Sequence, residues 1–131
     1  MNTSPLPQEL PGLRVTLDRL VYRHAPEASP DRPHCFVYFI SIHNQSDQTL
    51  TIKGRKWVVA HDDGTTTVVE GDGVVGQTPC LDPGEKFSYN SQHCIETPRA
   101  TAEGSYLGVT ASGQRVVVRI PCFEMIVPPE Q

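Results

Sequence analysis

The sequence predicts an all-β domain, a sandwich or barrel of about seven to nine short strands. Three observations predict it. Of 131 residues, 22 are Gly or Pro, and Pro alone stands at about twice its usual ~5% share, which excludes a chain of long helices. Short runs of β-branched and aromatic residues recur, and several are punctuated by Asn, Asp and Gly at turn positions. No segment carries a convincing helical stripe. The length fits one domain.

Residues 1–12 hold Pro5, Pro7, Pro11 and Gly12 without apolar periodicity and read as a flexible N-terminal lead-in. Residues 13–22 fit two periods. Leu13, Val15 and Leu17 alternate, whereas Leu13, Leu17, Leu20 and Val21 fit a helical stripe; Thr16, Tyr22 and two Val favour strand. Pro26, Pro30 and Pro33 make a loop. From Cys35 to His43, Phe36, Tyr38, Ile40 and Ile42 share one face. Polar residues enter the other only at Ser41, so this strand is expected to be buried on both sides. Residues 44–47 turn the chain. Thr49 to Ala60 is a strand with a bulge expected at Gly54. Asp63 and Gly64 then mark a hairpin into Thr65–Glu70. A long loop, 71–84, leads to a short strand at Phe87–Ser91. Tyr106–Thr110 and Arg115–Ile120 flank a hairpin at Ala111–Gln114. Pro121 permits a kink before a last strand, Cys122–Val127, and residues 128–131 form a tail.

The net charge of −4, with 20% charged and 37% hydrophobic residues, excludes a highly charged disordered chain and a strongly basic nucleic-acid binder. No run approaches the ~18 apolar residues of a transmembrane helix, so no membrane partner is expected. The first residues lack a basic start and an apolar core, which points to a cytoplasmic chain rather than a secreted one. The four cysteines, Cys35, Cys80, Cys94 and Cys122, include no Cys-x-x-Cys pair. Four free thiols are expected in a reducing compartment, with Cys35 and Cys122 packing as small hydrophobes.

Gly71, Asp72, Gly73, Val74, Val75 and Gly76 match the spacing G-x-G-x-x-G. A dinucleotide fold would open a helix here. Pro79 and Pro83 prevent one, and no Gly-Lys-Ser/Thr of a phosphate loop follows. Two readings remain for these six residues. Their N–H groups could form an anion-binding nest, opposed by the Asp72 carboxylate. Alternatively, the glycines permit sharp turns in a crossover.

The segment Gly71–Pro79, followed by Leu81–Glu85 and Phe87–Tyr89, resembles the ApaG family. So do Ser29–Asp31, the Asn44 turn, Arg55–Trp57, Thr97–Pro98, Glu103–Tyr106 and Ile120–Phe123, over about Leu13 to Val127. The resemblance implies a fibronectin type III/immunoglobulin-like β-sandwich over 13–127 and makes residues 13–22 a strand. It brings no catalytic motif and no cofactor. It implies an association with cobalt tolerance and magnesium efflux, and a partner-binding role like that of related domains in eukaryotic F-box proteins and a polymerase-interacting protein. Lys56, Ala102 and His93–Ile95 depart from the family pattern.

Other clusters have bland readings beside functional ones. His34-Cys35 and His93-Cys94 are strand neighbours that point to opposite faces, so packed thiols beside solvent-facing imidazoles are expected. His61, Asp62, Asp63, Glu70 and Asp72 could supply ligands to magnesium, but Asp at a hairpin turn has a local reason. Lys53, Arg55 and Lys56 flank Trp57 and could contact phosphate beside a stacked base. If Trp57 is core instead, burying roughly 150–250 Å² stabilises by at most roughly 4–6 kcal/mol.

The expectation is therefore a non-catalytic binding module, with no cofactor and no metal, that displays the 71–84 loop and an edge strand to a protein partner. The alternatives are a phosphate- or pyrophosphate-containing ligand, or another small anion, at Gly71–Gly76, and direct binding of magnesium or cobalt. No nucleic acid is expected, and the chain could be a monomer or a dimer.

Overall fold

The structure, a computed structural model, describes residues 6–27 and 30–129. The first five residues of the lead-in, Ser29 of the Ser29–Asp31 segment and the last two residues of the tail lie outside the described residues. Nine strands are described: β1 (Gln8–Glu9), β2 (Leu13–His24), β3 (His34–Asn44), β4 (Leu50–His61), β5 (Thr66–Asp72), β6 (Cys80–Leu81), β7 (Lys86–Ile95), β8 (Arg99–Thr110) and β9 (Arg115–Ile126). They form two sheets, β2-β3-β7 and β1-β9-β8-β4-β5, with β6 pairing β4. The expected fibronectin type III/immunoglobulin-like sandwich is the observed fold.

Alternation builds the core. Phe36, Tyr38, Ile40 and Ile42 of β3 face Leu50, Ile52, Trp57 and Val59 of β4, with Tyr106 and Met125 beside them, and all are buried. No residue of β3 is exposed, as expected for a strand paired on both edges. Trp57 is 1% exposed and packs on Tyr38 at 4.9 Å between ring centroids, so it belongs to the core. Its register partner across β8 is Gly104, where an added Cβ would lie 2.3 Å from the Lys56 carbonyl oxygen. Close approach of the two strands therefore requires glycine there.

The expected bulge near Gly54 is present: the β4–β8 register shifts between Ile52 and Gly54. The hairpin at Asp63-Gly64 is present too, with the His61 N–H donating to the Thr65 carbonyl and Gly64 at φ 89. Asp63 accepts from the Thr65 N–H and hydroxyl, which is the local role that favours Asp in a turn.

The structure corrects several boundaries. Within the lead-in, β1 pairs in parallel with β9 and Leu10 is buried. β7 runs on to Ile95, and β8 starts at Arg99 rather than near Tyr106. Its inward residues there are Ala100, Ala102 and Gly104, too small to display an apolar alternation in the sequence. Pro121 does not divide β9. The β8–β9 register shifts between Ala102 and Gly104, so Pro121 and Cys122 together oppose Glu103 in a bulge, which tolerates a residue without N–H. That bulge also turns Cys122 outward, so the expected buried thiol is exposed.

The expectation of four free thiols is corrected as well. Cys35 and Cys94 are register partners on β3 and β7 and form a disulfide. Sequence spacing concealed the pair because 59 residues separate them. Cys80 and Cys122 remain as free, exposed thiols.

Candidate functional site

The six-residue glycine segment is divided between strand and turn. Gly71 and Asp72 end β5. Gly73, Val75 and Gly76 then adopt φ of 65°, 44° and 80°. Val74 is fully buried and exchanges both backbone hydrogen bonds with Gln77, at 2.7 and 3.0 Å. Positive φ at both Val75 and Gly76 gives the turn type I′ character. The Gly73 N–H donates to the Lys53 carbonyl at 2.7 Å. An added Cβ at Gly73 would sit 2.4 Å from the Gln77 carbonyl oxygen.

This geometry bears directly on the anion reading. The N–H groups of Gly73, Val74 and Gln77 are engaged within the protein. The bulge in β4 brings Arg55 beneath the loop, where Nη1 donates to the carbonyls of Asp72 (3.0 Å) and Gly73 (3.2 Å). Gly71 leaves room for that guanidinium, since a Cβ there would approach Nη1 to 2.8 Å. The segment thus turns carbonyls to its own arginine and anchors itself in the core through Val74.

The surface next to this loop is more open. Among the described residues, β5 pairs β4 on one side only. In an antiparallel ladder, successive residues alternate between bonding the partner strand and facing away from it. The bonds from the His61 N–H to Thr65 and from the Gly73 N–H to Lys53 fix the phase. Thr67, Val69 and Gly71 therefore bond β4, and Thr66, Val68 and Glu70 present N–H and C=O to the open edge, whereas the Asp72 carbonyl is taken by Arg55. Val68 is 55% exposed. A groove of about 560 Å³ begins at Glu70 and Asp72 of β5 and is lined further by Lys53 and Lys56 of β4, Leu107 and Val109 of β8, and Arg115 of β9. Lys56 pairs with Glu70 at 3.4 Å.

The remaining sequence candidates are placed as follows. His61 Nε2 shares a hydrogen bond with the Thr67 hydroxyl at 2.8 Å. Among the described residues, no group of three or more His, Cys, Asp or Glu side chains is positioned to hold a metal ion. His93 does not face solvent. It packs among Trp57 (4.6 Å), Tyr38 (4.9 Å) and Phe123 (6.5 Å), its Nε2 is buried without a protein partner, and burial pushes its pKa down to about 4. Beside this cluster the Tyr89 and Tyr106 hydroxyls hydrogen-bond each other, and burial raises both phenols, which keeps them neutral.

Sequence reasoning missed one polar cluster on the outer face of the three-stranded sheet. A register shift in β2 between Leu17 and Arg19 lets Asp18 accept hydrogen bonds from Ser41 and Thr16. Ser41 and Ser88 hydroxyls lie 2.7 Å apart, and Thr16 shares a 3.0 Å hydrogen bond with His43 Nε2. The Ser41 bond, then that from Thr16, holds the Asp18 carboxyl below its ordinary value. Burial, followed by the charges of Arg14 and Lys86, lowers His43. The signal was the polar alternation of Thr16, Ser41 and Ser88, which becomes visible only with the cross-strand register.

Comparison with known proteins adds to this geometry. Residues 24–110 match a family model described as the ApaG domain. The protein ApaG of Proteus mirabilis is 33% identical over 108 residues, covering 82% of this chain and 86% of that protein. The protein ApaG of Vibrio cholerae is 39% identical over 93 residues, covering 71% and 74%. An X-ray structure of a structural-genomics target superposes with a TM-score of 0.82 at 29% identity, covering 91% of this chain and 89% of that one.

Proposed function

This chain belongs to the ApaG family, and from that premise we propose that it is a non-catalytic binding module that acts through protein–protein interaction at its β5 edge. One observation carries the reading: Thr66, Val68 and Glu70 turn unpaired backbone groups outward along an edge strand. An extended peptide adds to such an edge through main-chain hydrogen bonds, and side-chain pockets give specificity. The exposed Val68 and the neighbouring apolar groove supply those pockets. In this reading the family association with cobalt tolerance and magnesium efflux is carried by the partner.

The test begins with peptides selected from a random display library on the native protein. Val68→Pro removes an outward N–H without removing a bond to β4. Selected peptides are expected to bind the variant about tenfold more weakly, the scale of one or two lost interfacial hydrogen bonds. Unchanged affinity, with the variant folded, would remove β5 from the interaction.

A further inference from the structure

We propose that the outer face of the β2-β3-β7 sheet is a second docking surface, built for a short extended segment with acidic residues on either side of an apolar one. The outward positions of β2 are Arg14, Thr16, Arg19, Val21 and Arg23, with Asp18 added at the bulge. Those of β3 and β7 add Lys86 as the one further side chain that is always charged, and His43 lies between Arg14 and Lys86 in a single cross-strand row. The face thus gathers four of the eleven Lys and Arg residues and one of the fifteen Asp and Glu residues. It carries +3 with His43 neutral, which leaves −7 for the rest of the chain.

The pattern along β2 sets the expected register. Arg19, Val21 and Arg23 alternate on one face, and Val21 lies beside Val37 across the strand. Arg19 extends over the Phe39 ring at 5.8 Å, so its guanidinium stands beside apolar surface rather than isolated in solvent. Side chains on one face of an extended peptide repeat every two residues, roughly 6.8 Å apart. A segment written acidic-x-apolar-x-acidic therefore places carboxylates over Arg19 and Arg23 and its apolar side chain over Val21 and Val37. β7 opposes nothing to this, because its outward residues beyond Lys86 are Ser88, Asn90, Gln92 and the disulfide-bonded Cys94. Asp18 lies at the bulge directly before Arg19, where its carboxylate is already held by Ser41 and Thr16.

Charge complementarity selects the occupant. A long polyanion such as nucleic acid extends past the sheet into the −7 remainder within about one Debye length, ~10 Å at 0.1 M salt. A short acidic segment contacts only the basic face. The outer face of the six-stranded sheet competes less, since Lys53, Arg55, Lys56, Arg115 and Arg119 there are offset by Glu9, Glu70, Asp72 and Glu103.

The probe is a fluorescently labelled peptide carrying one Glu-Ser-Leu-Ser-Glu segment, followed by anisotropy at low and moderate salt. Saturable binding that weakens with salt is expected, together with NMR shifts centred on the amides of Arg19, Val21 and Arg23 and of their β3 partners Phe39, Val37 and Cys35. Arg19→Glu with Arg23→Glu should weaken binding by about tenfold or more through charge repulsion. Arg14→Glu with Lys86→Glu serves as a second folded variant should the first fail to fold, with weaker binding again expected. Lys53→Glu with Lys56→Glu, and Val68→Pro, should leave this affinity unchanged, which separates the surface from the β5 edge. Four results would overturn the proposal: no saturable binding, equal weakening by Lys53→Glu with Lys56→Glu, tighter binding of a DNA oligomer of equal charge, or a dimer of the chain that covers the face.

Discussion

His93 is a titratable group placed where an aromatic carbon ring would serve the packing equally well. Its pKa of about 4 lies below the ordinary imidazole value of 6.5 because burial disfavours the charged form. The unfolded chain therefore takes up a proton in a range where the folded chain does not. The stabilising effect is complete above about pH 6.5 and is lost as the pH falls through about 4. Urea unfolding is expected to show a decrease of about 1 kcal/mol by pH 5.5 and about 3 kcal/mol by pH 4 from this group. His93→Phe should flatten that slope; an unchanged slope would assign the acid sensitivity elsewhere. Val75 presents a second local conflict, a β-branched residue at φ 44° on an exposed turn. Val75→Asn is expected to raise stability by about 1 kcal/mol, the order of the left-handed penalty. Gly104 is opposite in sign. Gly104→Ala forces a methyl against the Lys56 carbonyl and should cost about 1–3 kcal/mol in the same measurement.

At the scale of elements, the disulfide joins β7, an edge strand, to the central β3. A cross-link closing a loop of 59 residues removes unfolded-chain entropy worth about 4 kcal/mol. Thermal unfolding with and without a reductant should therefore differ by more than ten degrees, by the usual scaling of about 4 °C or more per kcal/mol. Equal midpoints would mean that reduction leaves β7 in place at no cost. The elements themselves were mostly legible. β3, the bulge in β4, and the hairpins at Gly64 and Gly113 follow from alternation and turn chemistry, which are local properties of the chain. What escaped was set by pairing. The start of β8 was hidden by Ala and Gly facing a neighbouring strand, and the disulfide depended on a register that no spacing reveals. The bulge at Pro121 reversed the side to which Cys122 points. The glycine segment, expected as the start of a loop running from 71 to 84, is strand at Gly71 and Asp72 and a turn only beyond them, and Cys80–Leu81 adds a strand within that range; its hydrogen bonds run to Lys53, Gln77 and Arg55, partners that spacing alone does not announce. The cluster around Asp18 escaped for the same reason.

For the whole molecule, Trp57 is the single tryptophan and lies where the two sheets meet. Its emission reports sandwich formation, with a red shift expected on unfolding. Four of the seven strand pairings among the described residues, β1–β9, β3–β7, β4–β6 and β4–β8, join strands that do not follow each other in the chain, so stopped-flow refolding followed at Trp57 is expected in the millisecond-to-second range typical of all-β sandwiches. A microsecond phase carrying most of the amplitude would contradict this. The first and last strands add a constraint of a different kind. β1 finds its partner in Val116 and Val117 of β9, near the opposite end of the chain. During synthesis the ribosome releases Gln8 and Glu9 long before β9 exists. The opening segment therefore stays without its partner until all the intervening strands and β9 have been made. It can close onto the sheet only as the final strand emerges, a latch set by the order in which the protein is made.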